Sequence, residues 1–263
     1  TAQVKSLTLE QLNSLSAENI GAMETADIAS ITTPILSSFT QISNLSSQQI
    51  QAFTNAQIRA LTATQLQSLS ADQYSSLTAT EISNFSAAQV SSFTTAGIAT
   101  LSSTQIQAIP AGAVASLDLS ALTTDQINAL TTKQISALSA TKINNLSATS
   151  LSALNGAAVG AITTSVIASL SSDQISNLST SQISALTSLQ IQALTTAQVN
   201  AMHADQIASI SASGVSALTT TQITGLTAAI DLLAGLSTAQ IPALSAANVT
   251  ILTANQLNAL STT

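Results

Sequence analysis

Cysteine and tryptophan are absent from the 263 residues, proline occurs 3 times, and only 4 residues are Lys or Arg against 11 Asp or Glu. Each shortage excludes something. Without cysteine there is no disulfide framework, no thiolate nucleophile and no cysteine metal site. Four cations cannot neutralise a nucleic-acid backbone, where every phosphate contact needs a positive partner. Charged residues make up 6%, against roughly a quarter in an ordinary soluble domain, and the formal net charge is -7. Aromatics are only 2% while hydrophobic residues reach 45%, so a core must be built from Leu, Ile and Ala. A conventional active site is not expected from this composition.

The opening Thr1-Ala2-Gln3-Val4-Lys5 lacks the charged segment and apolar run of a signal peptide. The charge-free stretch from Ile143 to Ser172 is long enough to span a bilayer. It is full of Ser, Thr and Asn, however, and a spanning helix needs about 20 mostly apolar residues. No membrane insertion is expected. The lack of Cys and scarcity of Lys fit an extracellular or cell-surface location.

What the chain does contain is a repeat. From Leu122 it reads LTTDQINA, LTTKQISA, LSATKINN and LSATSLSA, and the later units follow Leu-[Ser/Thr]-x-x-Gln-Ile-x-[Ala/Ser]. Roughly thirty such octads fill residues 1–263, which predicts a single continuous repeat domain. The phase slips three times. The unit at 39–44 lacks 2 residues, the unit at 117–121 lacks 3, and the unit at 226–235 gains 2.

The apolar residues sit at octad positions 1 and 6, as in Leu122 and Ile127. An odd spacing of five places them on opposite faces of a strand, so β-alternation fails. One continuous helix fails too, because eight residues turn it through about 800° and rotate the apolar stripe by about 80° per repeat. The polar residues resolve the matter. Ser or Thr at position 2 and Gln at position 5 have the spacing of a capping box. The Thr123 hydroxyl can accept from the Gln126 N–H while the Gln126 side chain reaches back to the Thr123 N–H. Glu10, Glu18, Asp72, Asp125, Asp173 and Asp205 fall just inside such caps, where the helix dipole favours carboxylates. A cap every eight residues predicts a short helix in every octad.

Helices this short are unstable alone and must bury Leu and Ile against other octads. Small residues at position 8, such as Ala129, Ala137, Ala185 and Ala193, allow close approach. The expected fold is all-α: an α-solenoid with two or three octads per coil, a Leu/Ile spine and a Ser/Thr/Gln/Asn exterior. Asp118 and Asn155 replace Ser/Thr as good N-caps, and Pro110 sits at a helix start, where a missing N–H does little harm. Tyr74 replaces Ile at position 6 and needs room or an exposed hydroxyl. The chain enters at octad position 3 and closes with Leu260-Ser261, positions 1 and 2, then Thr262-Thr263; writing that Leu-Ser onto the start makes a good octad. That reading predicts head-to-tail stacking or a place in a longer array.

No catalytic, cofactor or metal residues are expected. His203, the single His, replaces a capping Ser/Thr and reads as a surface variation, since no organised nucleophile accompanies it. There is no Gly-x-Ser-x-Gly elbow and no calcium loop. Gly156-Ala157-Ala158-Val159-Gly160 reads as close helix packing. The sequons at Asn44, Asn84, Asn145, Asn177 and Asn248 read as by-products of the repeat wherever Asn falls two residues before its Ser or Thr. Arg59, Lys133 and Lys142 form no basic patch.

The Leu-Thr-Thr-x-Gln-Ile-x-Ala-Leu run, as at 122–130, resembles arrays in very large bacterial secreted or cell-surface proteins described as adhesin-like or haem-utilisation/adhesion proteins. The resemblance covers nearly the whole chain and implies an extracellular, structural or adhesive role. It brings no haem site, because one His and no Cys offer no ligand set. The same run is locally similar to the opening of the DNA-reading repeat of TAL effectors. Those repeats are about four times longer and track a polyanion, so period and acidic charge oppose that function. The expected function is a structural repeat that forms or extends an extracellular bacterial filament, its partner being itself or further repeats. The alternative is an adhesin stalk or a surface-, glycan- or ice-binding module. A cross-β fibre is the remaining reading that low charge and Thr/Ile content raise.

Overall fold

The structure, a computed structural model, describes residues 2–225 and 235–260. Every regular element among them is a short helix, and no strand occurs, which removes the cross-β reading. Backbone contacts group the chain into two compact units, Thr1–Ala137 and Leu138–Thr263. The octad runs through both, and each unit is an α-solenoid.

A typical octad shows why the helix starts and stops where it does. Thr123 has extended backbone angles (φ -70, ψ 164) and its hydroxyl accepts from the Gln126 N–H at 3.3 Å. Helix Thr124–Ala129 follows, and Leu130 swings back to φ -58 and ψ 129, ending it. The extended Leu carries the chain directly to the next cap, Thr131. No described residue has a positive φ. The repeat therefore turns without the left-handed glycine that ends many helices. Asp118 and Asn155 cap as the sequence suggested, accepting from the Ser120 and Ala158 N–H groups at 3.0 and 2.9 Å. Pro110 stands at the N-cap of Ala111–Val114.

Positions 1 and 6 are buried through most of the array, as with Ile127 and Leu130 or Ile191 and Leu194, whereas Val249 and Leu257 in the last octads are exposed. Burying each such side chain is worth about 1.5–3 kcal/mol, which isolated two-turn helices lack. Within each unit the strongest packing joins an element to the third one along. In the first unit Ala71–Ser76 packs on Thr95–Thr100, and in the second Ser188–Ala193 packs on Ala212–Ala217. Of the two spacings the sequence left open, three is the one that helix packing adopts. The Gly156–Gly160 helix uses its glycines in this contact. A Cβ on Gly156 would lie 3.0 Å from the Ala185 Cβ, and one on Gly160 would lie 3.1 Å from the Ala185 carbonyl oxygen.

One expectation is corrected. Glutamine at position 5 is not part of the exterior: Gln57, Gln134 and Gln190 are each 1% exposed. Their amides are fully hydrogen-bonded, which removes the cost of burying a polar group. The first two phase slips appear as 3₁₀ turns, Ile42–Asn44 and Leu119–Ala121, in place of α-helices. A 3₁₀ turn spans the same kind of corner with fewer residues. The third slip falls mostly at 226–234, outside the described residues.

Candidate functional site

The feature that repeats with most chemistry is the interior row of glutamines. An amide has two acceptor lone pairs and two N–H donors. In Gln190, Oε1 accepts from the Thr187 N–H at 2.8 Å. The Nε2 donates to the carbonyls of Val159 at 3.0 Å and Ile162 at 2.6 Å, 31 and 28 residues earlier. Those carbonyls belong to the end of helix Gly156–Gly160 and the octad junction after it. Helix ends leave such groups short of i to i+4 partners; the Val159 carbonyl already accepts from the Ile162 N–H at 3.1 Å, and the amide takes up its second lone pair. One glutamine thus caps the start of its own helix and the end of a helix one coil earlier. Because N–H groups lie on one side and carbonyls on the other, the amide can sit only one way round. Coil-to-coil ties therefore reach the fourth octad back, while helix packing joins the third.

The row also shows how the array absorbs its phase slips. In undisturbed stretches the two ties span 31 and 28 residues, as for Gln89 and Gln198. Across the first slip, which removes 2 residues, Gln49 and Gln57 span 29 and 26. Across the second, which removes 3, Gln126 and Gln134 span 28 and 25. Across the third, which adds 2, Gln240 spans 33 and 30. The chain length between coils changes, but the glutamine meets the equivalent two carbonyls.

Position 5 departs from glutamine in informative places. Lys142, Ser150, Ala158 and Val166 occupy it in the first four octads of the second unit, and the row resumes with Gln174, which donates to the Asn144 carbonyl at 3.0 Å. Gly97 occupies it in the Phe93 octad, where the buried Tyr74 ring fills the space. The Tyr74 hydroxyl donates to the Leu66 carbonyl at 2.8 Å and accepts from the Thr94 N–H at 3.3 Å. Leu66 is the carbonyl 31 residues before Gly97 that the regular pattern assigns to glutamine, and Thr94 is that octad's own cap. The sequence asked for room or an exposed hydroxyl at Tyr74; the structure supplies room. Burial pushes the Tyr74 phenol above its ordinary range, with the Thr94 hydrogen bonds acting the other way. Phe93 meets the ring edge-on at 5.4 Å.

Glu81 is a further departure. Its Oε2 accepts from the Thr78 N–H and hydroxyl at 2.6 and 2.8 Å, completing the capping box. Its Oε1 is buried with no hydrogen-bond partner. Burial raises the carboxyl above the usual range, and the Thr78 hydrogen bonds partly oppose that shift.

The residues singled out from sequence as surface features are dispersed. Glu10, Glu18, Asp72, Asp125, Asp173 and Asp205 are exposed in the first turns of six different helices. His203 is exposed at an N-cap. There the Gln206 N–H bonds to Asp205 Oδ1 at 2.9 Å, and the His203 N–H bonds to Gln206 Oε1 at 2.8 Å. Lys133 and Arg59 are exposed on separate helices, with Arg59 bonding Asn84 Oδ1 at 2.7 Å. Asn248 is buried, its amide donating to the Leu218 carbonyl at 2.8 Å in the manner of the glutamines. A groove of about 320 Å³ beside the first slip is lined by Ser38, Thr40, Thr62, Thr64 and Ser68 around Phe39. Among the described residues no three His, Asp or Glu side chains cluster as metal ligands, and no helix is long and apolar enough to cross a membrane.

Residues 112–148 and 172–204 match the family model described as the ALTTAQ repeat. That name reads as octad position 8 followed by positions 1 to 5, and Ala193-Leu194-Thr195-Thr196-Ala197-Gln198 spells it in full. The chain is therefore a repeat protein, similar over these two segments to that family. A comparison with curated proteins gave no match.

Sequence reasoning recovered the first half of the glutamine's role, the capping box. It did not recover the second half or the part played by Gly97. A signal for the latter was present: Tyr74 and Gly97 are two departures from the consensus lying three octads apart, the packing interval of the fold.

Proposed function

We propose that the chain is a non-catalytic structural array that forms or extends an extracellular bacterial filament through stacking of like coils. The observation that supports this reading is the repetition of the coil-to-coil seam. Each regular coil offers amide donors to the coil before it and helix-end carbonyls to the coil after it, as Gln182, Gln190 and Gln198 do in succession. Such a seam is heterologous, and a heterologous contact that does not close generates a filament. Its partner is a second copy or further repeats of the same kind. The resemblance to arrays of large bacterial surface proteins carries the extracellular placement.

The test is cryo-electron microscopy of the concentrated protein, alongside sedimentation. Filaments with helical symmetry and no strand reflection near ~4.7 Å support the reading. A strictly monomeric chain at high concentration overturns self-assembly. The hydroxyl-lined groove beside the first slip favours one second reading, a glycan-binding stalk. Glycan-array binding that Thr64→Val abolishes, without change in melting, would favour it over the filament.

A further inference from the structure

Glu81 differs from the glutamines around it by one group: an oxygen stands where they carry an NH₂. Its neighbours in the row set out what that group faces. Gln73 and Gln89, in the octads on either side, donate to carbonyls 31 and 28 residues back. The same interval from Glu81 leads to the carbonyls of the buried Ile50 and Phe53, which flank the turn that ends helix Ser47–Ile50. An ionised carboxylate can only accept hydrogen bonds and would set its free oxygen against carbonyl oxygens. Glu81 is 3% exposed and its Oε1 has no partner. A buried charge without a partner is costly, and such a group neutralises instead.

We propose that Glu81 is held as the neutral acid in the folded chain, its Oε1–H replacing the amide as donor to the Ile50–Phe53 turn, so that this seam of the first unit tightens in acid and loosens as the carboxyl ionises. No other group competes for this role. The surrounding helices Ser47–Ile50, Asn55–Ala60, Ala71–Ser76, Ala87–Val90 and Ser103–Ala108 bring only Arg59, Asp72 and Tyr74 as charged or titratable side chains. Arg59 and Asp72 are exposed, with Arg59 bound to Asn84. The Tyr74 hydroxyl is bound to Leu66. The sign follows from the raised carboxyl. The unfolded chain ionises first, so the contribution of the acid form is complete below the ordinary glutamate range. It is lost as pH rises toward the folded-state value and levels off above it.

The experiment compares urea unfolding of the full chain and its Glu81→Gln variant from about pH 4 to about pH 8. The other carboxylates are common to both, so their titration cancels in the difference. The variant is expected to be more stable at the upper end. The ratio of the two unfolding constants should grow by up to about tenfold per pH unit inside the window and then flatten. A ratio independent of pH, or a variant less stable at pH about 8, overturns the proposal. Carbon-13 NMR of the Glu81 carboxyl in the unsubstituted chain reads the same point directly. A midpoint in the ordinary range, about 4.3, would also overturn it.

Discussion

Tyr74 and Gly97 together perform the task that a single glutamine performs in neighbouring octads. The tyrosine hydroxyl joins the Leu66 carbonyl to the Thr94 N–H, and the missing side chain at Gly97 leaves space for its ring. A Cβ at Gly97 would lie 2.7 Å from Tyr74 Cγ and closer still to two other ring carbons. These atoms are buried against Phe93 and cannot swing away.

Gly97→Ala is therefore expected to destabilise the first unit by about 1–3 kcal/mol, despite the better helix propensity of alanine. Tyr74→Ile alone leaves a cavity, takes the tyrosine's bond from the Leu66 carbonyl, which keeps the Leu69 N–H, and strips the Thr94 N–H of its hydroxyl partner. The double variant Tyr74→Ile/Gly97→Gln restores the consensus pair and should recover most of the loss. Urea unfolding of the four proteins forms a double-mutant cycle, and additive effects would sink the proposed coupling.

Gln134 bonds the Thr131 N–H and the Ile106 and Ile109 carbonyls. Its Oε1 also accepts from the Thr131 hydroxyl at 3.0 Å, so Gln134→Ala removes four hydrogen bonds at a buried site and should cost about 3 kcal/mol. Thr131→Ala removes only the conventional cap and should cost about 1 kcal/mol. Equal losses in chemical unfolding would show that the tie to the preceding coil contributes nothing.

The second slip leaves octad 117–121 without positions 3 to 5 and hence without a glutamine. Inserting Thr-Asp-Gln between Asp118 and Leu119 rebuilds the full octad. By the regular interval the new amide reaches the Val90 and Phe93 carbonyls. The insertion is expected to stabilise the chain by about 1 kcal/mol rather than disrupt it, because the neighbouring ties already accommodate changes in spacing. A lowered unfolding midpoint would count against this account of the slips.

Much of the local structure was legible from residue order alone. Thr123 and Gln126 specify a helix start because a hydroxyl and an amide three residues apart satisfy two N–H groups of the same turn. Leu122 and Ile127 specify burial because they are the octad's large apolar groups. The burial of Gln126 was not legible. Its Oε1 partner is three residues away, but its Nε2 partners, Ile98 and Leu101, are 28 and 25 residues away. The singularity of Glu81 was not legible for the same reason: what makes it unusual is a carboxylate oxygen buried without a hydrogen-bond partner. Asp72, with the same sequence setting one position earlier in its octad, is simply exposed.

The sequence by itself determined the octad, the helix in each octad, the capping residues and the apolar positions, since all of these are settled within about two turns of chain. Only the tertiary structure decided how far along the chain each octad finds its neighbour, which side of a glutamine amide faces inward, and how slips of two or three residues are absorbed. Those outcomes depend on helix-end carbonyls brought close by packing. Every residue carries such a carbonyl, so nothing in its side-chain identity marks which ones will be met.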